Sequence, residues 1–298
     1  MVSSQNQAYA YGLAAVLLWS TVATAFKLAL RYLTPLQLVA LSSLTSTIVL
    51  LLLLTAQKKF HLPWRYIREK PLFYLTLGLI NPLGYYLILF KAYDLLPAQQ
   101  AQPLNYTWAI TLSLLAIPLL GHKLQRYDWA AMLLGYVGVV VIATGGDLIS
   151  LHFSSPLGVA LALLSTLLWA GYWLLNQRHQ GDPIAGLCAA FLLSVPWTLL
   201  LLLFSGSSIH WQWQALAGGI YIGCFEMGLT FACWMMALKK TEKTARVSNL
   251  IFISPFLSLF FIAHLLEESI VPATYVGLIL IIGGLLIQQY GNHRTQQN

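Results

Sequence analysis

Long apolar stretches and short polar connections alternate along the whole chain. Clusters of charged residues, proline and glycine separate ten apolar stretches of roughly 17 to 26 residues, and a helix needs about 20 residues to cross the hydrocarbon core of a bilayer. We therefore predict an all-α polytopic membrane protein with ten transmembrane helices. The predicted spans are Ala8 to Leu30, Pro35 to Ala56, Pro71 to Ala92, Ala98 to Leu119, Asp128 to Thr144, Pro156 to Arg178, Pro183 to Phe204, Trp213 to Leu238, Thr244 to Leu265 and Pro272 to Tyr290.

The composition supports a membrane protein. Hydrophobic residues make up 58% of the 298 residues and charged residues only 8%, with a mean hydropathy of +0.72. About a quarter of the residues of a soluble domain are charged. The connections between the predicted spans leave no room for a separate soluble domain, so we expect the protein to act on a small-molecule substrate within the lipid bilayer.

The positions of the basic residues predict the orientation. If the amino terminus is cytoplasmic, 13 of the 16 Lys and Arg residues lie in inside loops or the carboxy-terminal tail, and only Lys27, Arg31 and Lys91 lie outside. Such a bias marks the cytoplasmic side. We predict a multi-pass protein of the cell inner (plasma) membrane with both termini cytoplasmic. The excess of positive charge then faces anionic lipid, and we expect no nucleic acid partner.

Glu226 lies near the middle of the apolar stretch from Trp213 to Leu238. An ionised glutamate at that depth costs at least about 2.5 to 3.5 kcal/mol unless it faces a cavity or a partner. We therefore predict a proton-coupling or cation-binding role. The alternative is a permanently protonated Glu226 that only donates a hydrogen bond to a neighbouring helix.

The sequence gives little evidence for an enzyme active site or a metal site. The three cysteines lie in apolar stretches without a Cys-x-x-Cys motif, and the histidines are scattered. We expect no metal, no cofactor and no catalytic residues, because such sites need several groups to converge. An intramembrane enzyme would require a nucleophile and a base that come together, and a structural scaffold would leave Glu226 unexplained. A monomer is compatible with the sequence.

Residues recur at a nearly constant separation of 144 to 150 positions. The separation divides the chain into residues 1–148 and 149–298, each with five predicted spans. Because five is odd, the second half enters the membrane from the opposite side, as in transporters built from inverted repeats. The matched positions are Leu18-Trp19 with Leu168-Trp169, Pro35 with Pro183, Asn105-x-x-Trp108 with Asn249-x-x-Phe252, and Gly138 with Gly284.

Aromatic and polar residues also occur at or near the middle of several spans. We predict that they bind substrate, although packing against a neighbouring helix is the alternative for any single tryptophan. The predicted substrate-binding residues are Trp19, Asn81, Asn105, Trp108, Trp169, Tyr172 and Asn249. Pro82 and Pro255 interrupt the third and ninth spans, because proline lacks the N–H that a helix needs, and are predicted to be hinges or simple kinks.

Several motifs resemble those of the drug/metabolite transporter superfamily of the EamA type. They include Ala237-Leu238-Lys239, Ser254-Pro255-Phe256 and the stretch from Gly277 to Gly284, with a matching frame at Leu104 to Trp108 in the first half. Within that superfamily, Asn105-Tyr106-x-Trp108 and Trp169-Ala170-x-Tyr172 are similar to the branch of aromatic amino acid exporters called YddG. Ala109 departs from that branch, which has proline after the tryptophan.

The resemblance implies a secondary transporter with a central aromatic-lined cavity and alternating access. It implies that the tryptophans and Tyr172 stack on an apolar part of the substrate, while the asparagines bind its polar groups. We expect an exporter of small organic metabolites such as amino acids, driven by a gradient, since the sequence contains no ATP-binding loop. The rival interpretation is a proton-coupled multidrug or lipophilic cation efflux protein.

Overall fold

A computed structural model describes residues 4–120, 126–149, 153–207, 212–241, 247 and 249–295. No strand occurs among these residues, which form helices and connecting turns. Two π-helical segments, Leu79–Gly84 and Ile222–Leu229, join α4 to α5 and α11 to α12, and a 3-10 turn at Asn249–Phe252 precedes α13. The α-helices are α1 Ser4–Leu30, α2 Pro35–Ala56, α3 His61–Glu69, α4 Pro71–Gly78, α5 Tyr85–Leu95, α6 Ala98–Tyr106, α7 Trp108–Leu120, α8 Arg126–Ala143, α9 Pro156–Asn176, α10 Pro183–Phe204, α11 Trp213–Tyr221, α12 Thr230–Lys240, α13 Ile253–Leu265 and α14 Pro272–Thr295.

Within the part of the chain that the structure describes, 8 helices are long and apolar enough to cross a membrane. Two of them, Pro71–Leu95 and Trp213–Lys240, run through the π-helical segments. The predicted all-helical protein with many apolar spans is therefore confirmed. The predicted fourth span is divided into α6 and α7 at Thr107. The predicted ninth span lies partly outside the described residues and continues as the 3-10 turn and α13, so a total of ten spans stays a prediction.

Side-chain caps and glycines define where several helices begin and end. Thr34 and Gln37 form a capping box at the start of α2, and the Asp182 carboxylate caps α10 by accepting two backbone N–H bonds of 3.0 and 3.1 Å. Gly145 and Gly206 follow α8 and α10 with φ values of 62° and 63°, a conformation that favours glycine. These caps and turns give hydrogen-bond partners to terminal N–H and C=O groups that have none inside the helix.

The described residues of Met1–Phe90 and His179–Glu267 form one compact unit. In this unit α1 packs against α12 and α13, and α2 packs against α10 and the second π-helical segment. The approach to α2 is close at Gly223, where an added Cβ would lie 2.6 Å from the Cβ of Thr45. Small residues therefore allow the interrupted helix to pack tightly inside the unit.

The described residues of Lys91–Arg178 and Glu268–Asn298 form a second compact unit. Here α8 packs along α14, and both α6 and α7 pack against α9. An added Cβ on Gly138 would lie 2.6 Å from the carbonyl oxygen of Gly277, so the backbones of α8 and α14 nearly touch. Both units contain helices from both halves of the sequence. The predicted repeats, 1–148 and 149–298, concern sequence similarity, which this spatial division does not test.

Candidate functional site

Glu226 lies in the second π-helical segment, inside the span Trp213–Lys240. The hydroxyl of Tyr86 donates a hydrogen bond of 3.0 Å to its Oε1, and the Trp19 indole provides a further polar interaction with the carboxyl group. Its Oε2 is buried and accepts no hydrogen bond of ordinary geometry from the described residues. A buried oxygen without a donor carries a desolvation cost that a bound proton or a ligand N–H would remove.

Asn81 lies in the first π-helical segment and is 2% exposed. Its backbone leaves the helical conformation, with φ −139° and ψ 115°, immediately before Pro82. Its Oδ1 is also buried without a hydrogen-bond partner among the described residues. The predicted interruption near Pro82 is thus a break in the helical backbone, beside a buried amide oxygen that has no donor among the described residues. Its role as a hinge stays a prediction.

The predicted repeat would pair Asn81 with Glu226. They lie in the third and eighth predicted spans and are 145 residues apart, within the separation of the other matched residues. Glu226 lies in a π-helical segment, a geometry that is rare and often occurs at functional sites, and Asn81 lies at a kink where the backbone is not helical. Both belong to the first unit. This shared irregularity makes the two side chains the strongest candidates for a polar binding site.

Trp19 belongs to the same group as Glu226. Its ring centroid lies 5.4 Å from that of Trp234, and the two rings are tilted by 57°. The next residue on α1 is Ser20, whose hydroxyl donates a 3.3 Å hydrogen bond to that of Ser254 and so joins α1 to the start of α13. The Trp19 side chain is only partly buried, so an exposed aromatic surface lies beside the carboxyl group of Glu226.

A second group of aromatic residues lies in the other unit. The ring centroids of Trp108 and Trp169 lie 6.5 Å apart in an edge-to-face arrangement, and Trp169 stacks on Tyr172 at 5.6 Å. Trp173 meets Trp169 edge to face at 5.9 Å. Tyr172 is buried, whereas Trp108, Trp169 and Trp173 are partly exposed. The three tryptophans of this group therefore have exposed aromatic surface that a ligand could contact.

Asn105 lies next to the break between α6 and α7. Its amide donates a 2.9 Å hydrogen bond to the hydroxyl of Ser165 on α9. Ser165 precedes Trp169 by four residues, so the two side chains share one face of α9. The structure thus groups Asn105 with the aromatic residues of this unit through Ser165, which sequence reasoning did not identify.

The remaining predicted residues lie at the start of α13. Asn249 begins the 3-10 turn, but its side chain lies outside the described residues. Pro255 is the third residue of α13, in the first turn, where a helix has no partner for the backbone N–H. The helix therefore changes from 3-10 to α geometry two residues before Pro255.

Tyr86 and the π-helical geometry were not identified from the sequence. Tyr86 follows Asn81 by five residues inside the third span, and a polar hydroxyl at that depth was an available signal. The second π-helical segment contains no proline, so the sequence has no comparable marker for it. There the Thr230 hydroxyl donates to the carbonyl oxygen of Phe225, five residues earlier.

Among the described residues, no group of three or more His, Cys, Asp or Glu side chains is placed to hold a metal ion.

Helices long and apolar enough to span a membrane, with polar groups inside them, define a polytopic membrane protein. The model of the EamA-like transporter family matches residues 6–144 and 156–288. The chain therefore belongs to the EamA-like transporter family, within the drug/metabolite transporter superfamily. The resemblance inferred from the motifs is confirmed.

Two curated relatives and one solved structure give the range of similarity. The chain is 24% identical over 279 residues to the uncharacterized transporter YoaV of Bacillus subtilis (strain 168), covering 92% of this chain and 94% of the relative. It is 26% identical over 219 residues to the aromatic amino acid exporter YddG of Ancylobacter novellus, covering 70% and 73%. A protein crystal structure matches with a TM-score of 0.67 at 22% identity, covering 98% of this chain and 99% of that chain, and this likeness shows the fold alone.

Proposed function

We propose that the protein exports small organic metabolites such as amino acids across the inner membrane. The observation that carries this proposal is the buried Oε2 of Glu226 inside a membrane span, which accepts no hydrogen bond of ordinary geometry from the described residues. Hydroxyl groups such as those of Thr24 and Ser258 are also buried without a partner in the described part of the chain, but a carboxyl group is far more costly to bury. The ammonium group of an amino acid, or a proton, would supply the missing donor, and Asn81 offers a second acceptor of the same kind.

The aromatic group of the second unit, considered by itself, favours a ligand with an apolar portion. The partly exposed rings of Trp108 and Trp169 offer stacking surface, and Asn105 adds an amide beside them. A relative with 26% identity is named as an aromatic amino acid exporter. The proposal therefore includes amino acids with apolar or aromatic side chains as the substrate class.

The proposal includes ten spans in two inverted five-helix repeats that work by alternating access, with both termini cytoplasmic. Interrupted helices at corresponding positions of two halves are typical of binding sites in such transporters. Two pairs of irregular segments support it here: those at Asn81 and Glu226, and the break between α6 and α7 near Asn105 with the 3-10 turn that begins at Asn249. The driving force would be a gradient of substrate or protons.

Transport by purified protein in proteoliposomes tests the proposal. We expect uptake of radiolabelled phenylalanine and related amino acids, with Trp108→Ala and Trp169→Ala raising the KM about tenfold because each loses a stacking surface. Trp129→Ala is the matched control, since Trp129 is 62% exposed on the surface of α8, and it should transport normally. Absence of amino acid transport would refute the proposal, and unchanged KM in both tryptophan variants would assign the rings to packing.

A proton-coupled efflux protein for lipophilic cations is the second candidate. Glu226 favours it, because a carboxyl group beside the rings of Trp19 and Tyr86 suits a cation by charge and by cation–π attraction. Tetraphenylphosphonium distinguishes the two candidates. If this cation exchanges for protons while amino acids are not transported, the second candidate is correct.

A further inference from the structure

Helix α3 (His61–Glu69) is held at the membrane surface by its connections. Helix α2 ends at Ala56 and α4 begins at Pro71, so only four residues precede α3 and one follows it. Both neighbours belong to helices long and apolar enough to span a bilayer. With connections this short, α3 lies within the interfacial region where lipid headgroups are found.

One face of α3 is fixed against the protein. Pro63 is buried, and the Tyr66 ring stacks on that of Tyr74 at 5.9 Å with 9° between the planes. The Tyr66 hydroxyl also accepts a 3.0 Å hydrogen bond from the backbone N–H of Asp182. These contacts determine which side of the helix is left outside.

The opposite face combines aromatic and basic side chains. His61, Trp64, Arg65 and Arg68 follow the spacing of one helical face, and all four are exposed. Phe60 lies beside them, with its ring centroid 6.5 Å from that of Trp64. Together with Glu69 these side chains line a shallow groove.

The segment carries positive charge that its own acidic neighbours do not balance. Lys59 pairs with Asp182 at 2.6 Å and Arg65 pairs with Glu69 at 2.7 Å. Lys58, Arg68 and Lys70 make no ion pair with the described residues and are exposed. Three uncompensated cations thus flank two exposed aromatic rings at the surface of the bilayer.

We propose that the outer face of α3, with Lys58 and Lys70, is a binding site for the headgroup of an anionic phospholipid. The phosphate oxygens would accept hydrogen bonds from Arg68, and the lysines at the two ends of α3 would add attraction by charge. The glycerol and upper acyl chain would contact Phe60 and Trp64. Basic groups beside a span attract anionic lipid, and tryptophan favours the interface. A soluble phosphate ester would gain nothing from the aromatic rings, so the proposal specifies a lipid.

Quenching of tryptophan fluorescence by phosphatidylglycerol with brominated acyl chains tests the site in the detergent-solubilised full-length protein. The Trp64 component is the difference between the protein and its Trp64→Phe variant. In Lys58→Asn/Arg68→Gln/Lys70→Gln, we expect this component to need about a hundredfold more lipid, at about fivefold for each cation removed. Asparagine at position 58 suits the positive φ of 59° found there.

The matched control removes the same charge elsewhere, in Arg31→Gln/Arg178→Gln/Lys239→Gln, and should leave the Trp64 component unchanged. The single variant Arg68→Gln, with an expected shift of about fivefold, serves if the triple variant does not fold. The proposal would be overturned by an equal loss in the control or by the absence of a Trp64 component. Equal quenching by brominated phosphatidylcholine, or competition by free glycerol phosphate, would also overturn it.

Discussion

At the scale of single residues, Glu226 differs most from its surroundings. Tyr86 donates to one carboxyl oxygen at 3.0 Å, while the other is buried and accepts no hydrogen bond of ordinary geometry from the described residues. The Trp19 indole gives the carboxyl group a further polar interaction. A carboxyl group with one well-formed hydrogen bond can take up a further partner without repacking the helices. This property suits a group that binds a proton or a substrate cation in turn.

Replacing Glu226 by glutamine separates coupling from structure. Glutamine keeps the shape and a donor but cannot titrate, so Glu226→Gln should lose accumulation driven by a pH gradient yet keep substrate exchange down its own gradient. Proteoliposome uptake with and without the gradient measures both. Tyr86→Phe is the control, because it removes the hydrogen bond but leaves a titratable carboxyl group and should still accumulate substrate. Accumulation with an unchanged pH profile in Glu226→Gln would make the residue structural.

At the scale of helices, Asp182 shows how a span end is stabilised. Burial acts to raise the pKa of its carboxyl group, but hydrogen bonds from Lys59 and from the backbone N–H groups of Ala185 and Ile184, with the charge of Lys59, outweigh burial and lower the pKa below its usual value. The ionised form is therefore favoured by the folded protein. Its stabilising effect is complete above the unfolded pKa and is lost as the pH falls through the folded value.

We expect Asp182→Ala to lower the free energy of unfolding at pH 7 by about 1 kcal/mol, because α10 loses its cap. The difference from the wild type should shrink as the pH falls below about 4, where unfolded carboxylates become protonated. Thermal unfolding in detergent at several pH values measures it. Asp94→Ala removes the exposed pair with Lys91 and should have little effect. A difference for Asp182→Ala that persists undiminished at low pH would contradict this account.

The contact between α8 and α14 depends on the absence of a side chain. We expect Gly138→Ala to destabilise the protein by about 1 to 3 kcal/mol, because the new Cβ would overlap the carbonyl oxygen of Gly277. Gly283→Ala is the matched control in α14, since nothing lies within 4 Å of its added Cβ. The control should be neutral or slightly stabilising, because alanine favours helix. Equal melting temperatures for the two variants would show that the backbones can separate without cost.

At the scale of the whole molecule, the distribution of basic residues predicts the orientation in the membrane. In a background without Cys188, Cys224 and Cys233, single cysteines at Lys59 and Lys240 should be shielded from an impermeant thiol reagent in intact cells, while one at Asp147 should react. The reason is that positive charge keeps the two loops that carry Lys59 and Lys240 on the cytoplasmic side. Labelling of the cysteine at position 59 from outside would refute the orientation.

The sequence predicted the elements better than their irregularities. Span positions follow from apolar length, and Glu226 was identifiable because a carboxylate is costly in an apolar stretch. The break at Asn81 had a marker in Pro82. The π-helical geometry around Glu226 had none, because the segment contains no proline, and the close packing of its Gly223 and Gly228 on α2 is visible only in the structure. The contact of Tyr86 with Glu226 and the burial of oxygens without a donor depend on which helices pack together. Hydrophobic periodicity contains no information on which helices do so.

The π-helical segment Ile222–Leu229 also has a genetic consequence. A π turn holds one residue more than an α turn, because its hydrogen bonds join residues five apart instead of four. Leu79–Gly84 differs, because Pro82 and the extended backbone of Asn81 would still break the helix after the loss of one residue. Around Glu226, by contrast, the irregularity is one residue in size, so it differs from an ordinary span by the smallest in-frame change in length that a gene can undergo.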